Sequence, residues 1–276
     1  MGLRIKTNIS SQMVQRNLKN TSMKETADLE RLSSGKRITK AADDAAGLAI
    51  ATRLEATTKG LRQATRNAND GVSLIQTAEG GLSEISNILI RLRELTIQAS
   101  SDTVGNKERE FLNNEYTELS TEIDRISDST IFNGTNLLKG EAETLHFHVG
   151  SSGGEFNRIA FDAGETNSTT DSIGISGSSV TDKDSAMSSI DSVDSAIDKV
   201  SGQRAKLGAI QSRLQSTINN LEIQTINQDN ARSVIQDVDV AKATANLAST
   251  AVLKSAGIAT LGQANSTPNS ALRLIG

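Results

Sequence analysis

The chain has 276 residues and a formal net charge of −4, with 2% aromatic residues, one proline and no cysteine. So few large aromatic side chains favour helices that bury narrow apolar stripes over a thick globular core. The lack of cysteine excludes disulfide scaffolds and cysteine-ligated metals, and the mildly acidic balance gives no reason to expect a nucleic-acid partner. No apolar run approaches the roughly 20 residues that cross a bilayer, so membrane insertion is not expected.

The N-terminal 43 residues show weak apolar periodicity, with Ile5 and Ile9 followed by a mostly polar stretch. A segment that buries so little apolar surface gains little by folding alone. We therefore expect it to be disordered or weakly helical in the free monomer, and to become ordered only against many neighbours. Its first residues lack the apolar core of a secretory signal, and this test alone predicts a cytosolic protein.

The strongest periodic signal lies between residues 44 and 100. Apolar and small residues recur there every three or four positions from Leu61 to Ala99, which predicts one long helix. Asp43 and Asp44 precede it, as short acids that cap helix N-termini do. The Gly80-Gly81 pair marks a place where the helix is expected to weaken or bend. A 4-3-4-3 spacing predicts a second, antiparallel helix over 106–129.

Residues 130–180 interrupt the helical pattern. The run Phe132–Asn136 contains an Asn-Gly pair and predicts a turn. Two alternating runs around a glycine-rich turn predict a β-hairpin over about 142–162. Because an isolated two-stranded hairpin is marginal, we expect it to pack on the helices. Residues 164–181, rich in Gly, Ser and Thr, are interpreted as a surface connection.

The last hundred residues return to helical periodicity. A stripe of apolar residues predicts a third long helix over 183–228. After it, residues 233–262 suit a helix whose stripe is mostly small and buries little area, but small residues permit close helix–helix approach. This C-terminal stripe consists of Val234, Val238, Ala241, Ala245, Ala248 and Val252.

These patterns predict a mainly α fold, an elongated antiparallel coiled-coil-like helical rod with a small β-hairpin. Few residues of the chain could form a catalytic or metal-binding site. His146 and His148 share one strand face without a third ligand nearby, and Gly35-Lys36 lacks the remainder of a phosphate-binding loop. We expect no catalytic, cofactor-binding or metal site, and no enzymatic activity.

Short motifs spread over nearly the whole chain, in the right order, resemble those of bacterial flagellin. In the N-terminal half they are Glu30–Ile38 (ERLSSGKRI), Asp43–Ile50 (DDAAGLAI), Arg66–Val72 (RNANDGV), Gln76–Gly80 (QTAEG), Arg93–Leu95 (REL), Glu122–Ile126 (EIDRI) and Phe132–Gly134 (FNG). Those near the C-terminus are Ser212–Leu214 (SRL), Asn219–Leu221 (NNL), Ala231–Ser233 (ARS) and Leu261–Asn265 (LGQAN).

The resemblance implies a structural subunit that self-assembles into an extracellular flagellar filament for motility. It implies paired terminal helices, 1–43 and 233–276, at the filament core, and a rod domain made of 44–182 and 183–232. With only a hairpin and a short connection in mid-chain, the chain resembles a minimal flagellin without large outer domains. It further implies type III export without a cleaved signal peptide, which would replace the cytosolic expectation. Implied partners are an export chaperone, the filament cap and hook-junction proteins.

The resemblance implies a function for two sets of residues. The core-packing set is Ile5 and Ile9 with the C-terminal stripe of Val234, Val238, Ala241, Ala245, Ala248 and Val252. Some flagellins are recognised by the innate receptor TLR5 through the rod, and the matching positions here are Arg91, Leu95 and Glu115. Contacts along the filament are an alternative role for these three.

Two other functions compete with the filament subunit. The first is a hook–filament junction protein of the same family, which shares the terminal character but is incorporated in few copies. The second is a helical adaptor rod that binds a soluble partner and forms a discrete oligomer. Unlimited self-polymerisation distinguishes the filament subunit from both.

Overall fold

A computed structural model describes residues 7–141 and 143–272. The described helices are α1 (Ile9–Ser34), α2 (Ala45–Ser100), α3 (Asn106–Ser129), α4 (Thr170–Ile173), α5 (Lys183–Gln236) and α6 (Val240–Leu272). The strands are β1 (Ile131–Phe132), β2 (Thr135–Asn136), β3 (Leu145–His148) and β4 (Arg158–Phe161). The predicted mainly α class with a small antiparallel hairpin is confirmed. Within the described ranges no helix is long and apolar enough to cross a membrane.

The chain divides into two compact units. The terminal unit consists of residues 1–56 and 227–276, and the central unit of residues 57–226. Both divisions fall inside long helices, α2 and α5, rather than at the predicted boundaries 43/44 and 232/233. Those four-segment boundaries stay a prediction.

The central unit has one large hydrophobic core. The α2 stripe from Ala68 to Ala99 is buried in it, together with Tyr116 and Ile123 of α3 and most of the predicted stripe of α5. Leu221 of α5 belongs instead to a small separate cluster with Leu61 and Ala64 of α2. The 3-4 spacing thus identified the buried faces of all three helices, because each has only one apolar side to cover.

The predicted hairpin is present and packs on this core. β3 and β4 pair antiparallel, and Ile159 and Phe161 on one face of β4 are buried. The Asn-Gly turn joins β1 to β2, with Asn133 at φ 49° and Gly134 at φ 80°. Both residue types tolerate this left-handed conformation, so the turn forms where the sequence predicted it.

Helix α2 is unbroken at the glycine pair where a bend was expected. A Cβ atom on Gly81 would lie 2.7 Å from side-chain atoms of Leu138 and Thr130. This glycine therefore lets the chain around β1 and β2 approach the helix closely. Asp44 caps α2 by accepting from the Gly47 N–H at 2.8 Å. Asp43 instead accepts from the backbone of Thr39 and Lys40 and closes the preceding loop.

Residues 164–181 are more than the surface connection that the sequence suggested. Ile173, Ile175 and Val180 are buried in the core. Thr170 donates from its backbone N–H and from its hydroxyl to Asp124, both at 2.8 Å. Single buried apolar residues and side-chain acceptors hold the segment, and neither produces a periodic signal in sequence.

Candidate interaction surfaces

In the terminal unit α1 and α6 pack antiparallel along a narrow seam. The least exposed positions of α6 recur every three or four residues, as in a coiled coil. They are Ala243, Leu247, Thr250, Lys254, Gly257, Leu261 and Ala264. The matching face of α1 includes Ser11, Val14, Leu18, Glu25, Asp28 and Leu32. Much of this seam is small or polar, so the pairing buries little apolar area.

Polar contacts set the register of the seam. The Asn8 amide donates to the Ala264 carbonyl at 2.8 Å, and the Ser11 hydroxyl donates to Asn265 Oδ1 at 2.8 Å. Farther along the seam, Lys254 Nζ lies 2.7 Å from Glu25 Oε2. Because each donor has one matching acceptor, a shift of one helix along the other would break all three contacts.

The loops beside the helices are joined by backbone hydrogen bonds. The Arg37 N–H donates to the Gln236 carbonyl at 2.7 Å, and the Val238 N–H donates to the Gly35 carbonyl at 3.0 Å. Gly35 ends α1 in the left-handed region at φ 69°, a conformation that glycine adopts without steric cost.

The terminal segments, expected to be disordered or weakly helical in the free monomer, form long helices in the structure. Both α1 and α6 are helical and face one neighbour each, their partner in the same chain. Their pairing agrees with the paired terminal helices that the resemblance implied, whereas the apolar periodicity of each terminus, taken alone, indicated at most a weak helix. The spacing of small residues at 243, 250, 257 and 264 was the available signal.

The predicted core-packing residues lie off the seam. Ile9, Val234 and Val252 are 50%, 83% and 69% exposed. Ala241, Ala245 and Ala248 are also exposed, and Val238 is half-buried. Ile5 lies outside the described residues. The predicted stripe is not one helix face, because Val234 lies on α5 and Val238 lies between α5 and α6, and most of its side chains are exposed.

Further apolar side chains of the terminal unit are exposed. Each is at least half exposed, which leaves this small unit with much of its apolar surface uncovered. They are Met13, Met23, Leu29, Ile50, Val240, Leu253 and Ile258.

In the central unit, two of the three receptor-type residues lie together on the surface. Arg91 donates to Glu115 from Nε at 3.0 Å and from Nη2 at 2.8 Å, and to Glu94 from Nη1 at 2.9 Å. Hydrogen bonds to Glu94 and then to Glu115 raise the pKa of the Arg91 guanidinium. Leu95 differs from the expectation of a surface contact, because its side chain is 0% exposed and belongs to the core.

One buried charged residue escaped the sequence interpretation. Arg109 of α3 is 7% exposed and donates to the carbonyls of Ala99 and Ser101 and to Asn106 Oδ1. It therefore satisfies carbonyl groups at the end of α2 and closes the turn between the two helices. A single arginine in a charged helix carries no pattern that marks it as buried.

The described ranges contain no group of three or more His, Asp or Glu side chains that could hold a metal ion. His146 and His148 lie on β3, the first exposed and the second half-buried. Metal ligation by this pair would need further ligands.

Comparison with known proteins shows which family this chain matches. Residues 5–143 match the bacterial flagellin N-terminal helical region, and residues 190–275 match the bacterial flagellin C-terminal helical region. A flagellin from Halalkalibacterium halodurans is 41% identical over 90% of both chains. The Bacillus subtilis flagellin is 38% identical over 99% of this chain and 100% of its own. A crystal structure of Bacillus cereus flagellin covers 56% of this chain and 88% of its own at 30% identity, with a TM-score of 0.51.

Proposed function

The chain belongs to the bacterial flagellin family, and from this premise we propose how its surfaces build a polymer. It is a structural subunit of the extracellular flagellar filament and polymerises with copies of itself. Neither the hook–filament junction protein nor the helical adaptor is favoured, because the similar chains that span nearly its whole length are flagellins. The family is structural, and the absence of enzymatic activity stays a prediction.

The terminal helices form the inner core of the filament in this proposal. The observation that carries it is that Val252 on α6 and Val234 near the end of α5 stay exposed, while another face of α6 packs on α1. The alanines between them let a neighbouring helix approach closely. Fully burying one valine or leucine side chain contributes about 1.5–3 kcal/mol, so a few such contacts per subunit favour the polymer. Mass action then stabilises a terminal unit that is weakly held in the monomer.

Deletion of residues 233–276 tests this role. The truncated chain should retain helical circular dichroism from the central unit and should form no filaments in electron micrographs of concentrated protein. Filaments from the truncated chain would refute the core assignment.

A matched pair of substitutions tests the stripe itself. Val252→Ser removes an exposed apolar residue of the terminal unit, and Ile223→Ser removes one of similar exposure, 61%, from the central unit. The first should raise the critical concentration for polymerisation about tenfold or more, and the second should raise it less. Equal effects would mean that the α6 stripe has no special role.

The Arg91–Glu115 face is the proposed contact for TLR5. Both side chains are about half exposed, and their ion pair joins α2 to α3 on one surface. Leu95 would act from beneath by holding α2 in place, since it is buried. In a receptor reporter assay, soluble monomer should give a response that Arg91→Ala and Glu115→Ala reduce. Arg125→Ala is the control, because Arg125 is an exposed arginine of α3 paired with Glu122. No response to wild-type monomer at high concentration would exclude the receptor.

Export without a cleaved signal peptide is the remaining proposal, with an export chaperone, the filament cap and hook-junction proteins as partners. The contacts of Asn8 and Ser11 with Ala264 and Asn265 support it, because cleavage after these residues would remove them from the seam with α6. Mass spectrometry of protein from purified filaments should therefore find the N-terminal peptide containing Ser11. Filament protein that begins within α1 would contradict this route.

A further inference from the structure

Three methionines in the described part of the chain are more than half exposed. Met13 and Met23 lie on α1 of the terminal unit, 54% and 57% exposed, and Met187 lies on α5 of the central unit, 54% exposed. Met23 also lines a groove of about 590 Å³ between α1 and α6, together with Leu18 and Ile258. Thioether sulfur atoms at such positions are open to small oxidants in the free subunit.

We propose that Met13 and Met23 are an oxidation site that controls whether a free subunit can join the polymer. The oxidant class is a hydroperoxide, with hydrogen peroxide as the simplest member. The sulfur lone pair attacks one peroxide oxygen, the O–O bond breaks, and the sulfur–oxygen bond forms as water leaves. The thioether is oxidised by two electrons to a sulfoxide and the peroxide is reduced. Methionine sulfoxide reductases reverse this step.

The effect on assembly follows from polarity. Both methionines lie in the terminal unit. In the proposed filament, neighbouring subunits cover the exposed apolar residues of this unit, and the inference rests on that proposed function. A sulfoxide carries a strong acceptor into an apolar contact, and burying it without a donor disfavours the contact. Oxidation of free subunits should therefore prevent their addition, whereas subunits already in the filament should be protected.

Met187 provides an internal comparison. Its exposed fraction matches that of Met13, so both should oxidise at similar rates in the monomer. Met187 lies outside the terminal unit, so its oxidation should affect assembly little. Comparing Met13 with Met187 therefore distinguishes the effect of oxidation at the terminal unit from the effect of methionine oxidation in general.

The experiment uses full-length monomer treated with hydrogen peroxide and then freed of oxidant. Oxidised wild type and oxidised Met187→Leu should show a critical concentration at least about tenfold above that of untreated protein. Oxidised Met13→Leu/Met23→Leu should assemble like its untreated form. An equal loss in this double variant would overturn the proposal, because Met187 or another residue would then be responsible.

Peptide mass spectrometry gives a second readout that needs no variant. In wild-type filaments exposed to peroxide, sulfoxide formation at Met13 and Met23 should fall at least about tenfold relative to monomer. Equal oxidation in filament and monomer would overturn the inference even if the double variant fails to assemble, and would leave the filament function intact. If untreated wild type forms no filaments at all, the proposed function fails and this inference fails with it.

Discussion

The two units of this protein bury apolar residues very differently. Among the described residues, the terminal unit has only Ile38, Ala51 and Ala243 as buried apolar side chains, while the central unit has a large core. Conversely, residues such as Val234 and Val252 of the terminal unit are largely exposed. The difference teaches that helix content and core formation are separate properties. The central unit is stabilised by its own core, whereas the terminal unit leaves most of its large apolar side chains exposed.

The largest expected contrast comes from truncating one apolar side chain in each unit. Leu92→Ala removes a fully buried side chain from the central core and should lower the free energy of unfolding by about 2–5 kcal/mol. Val252→Ala, in the terminal unit, should change it by less than about 0.5 kcal/mol. Urea denaturation of monomers at the same protein concentration measures both. Similar losses would mean that Val252 is already covered within the monomer.

The next effect concerns the buried charge of the central unit. Arg109→Met keeps much of the side-chain length but leaves the Ala99 and Ser101 carbonyls without their donor, and should cost about 2–3 kcal/mol. Arg125→Met is the control, because the exposed Arg125–Glu122 pair contributes at most about 1 kcal/mol. Thermal unfolding of both variants tests the ranking. Equal melting temperatures would contradict the capping role of Arg109.

A smaller effect is expected at the seam of the terminal unit. Lys254→Glu places two carboxylates opposite each other and should weaken the pairing by about 1 kcal/mol, since both partners are partly exposed. The reversed pair Glu25→Lys/Lys254→Glu should recover most of this loss. Hydrogen exchange of α6 amides reports the stability of the pairing in all four proteins of the cycle. A double variant no better than the single one would show that the ion pair does not set the register.

The smallest effect is a pH response at each unit. Backbone N–H groups of Lys40 and then Thr39 hold the pKa of Asp43 below its ordinary value. In the central unit, the hydroxyl and backbone N–H of Ser185 do the same for the pKa of Asp182. A lowered folded-state pKa gives stability that is present above the ordinary pKa and lost as pH falls through the lowered one.

Asp43→Asn should therefore flatten the acid response of hydrogen exchange in the loop that precedes α2. Asp182→Asn should instead flatten it in the first turn of α5. Exchange measured between about pH 6 and pH 2 spans the ordinary carboxyl range. An unchanged acid response in the two variants would mean that these carboxylates contribute nothing to local stability.

Much of the helical architecture was predictable because the signal is local. The run from Leu61 to Ala99 has one apolar side, and a helix with one apolar side has only one face to bury. The same reasoning predicted α3. The hairpin was predicted from two alternating runs around a glycine-rich turn, which is also a local signal. The candidate site was less predictable. Leu95 and Arg91 are four residues apart on α2, yet the Leu95 side chain is in the core and the Arg91 side chain is exposed.

The sequence by itself determined where α2, α3 and most of α5 lie and that the fold is mainly α, because helical periodicity depends on neighbours within a few residues. Only the tertiary structure decided which face of α6 packs on α1. Two stripes of α6 have the same 3-4 spacing, one through Ala241 and Val252 and the other through Ala243 and Lys254. The more apolar stripe is left exposed, because the polar contacts of Lys254 and of the Asn8–Ala264 pair fix the register. Such a choice depends on partners more than two hundred residues away, which no local pattern can encode.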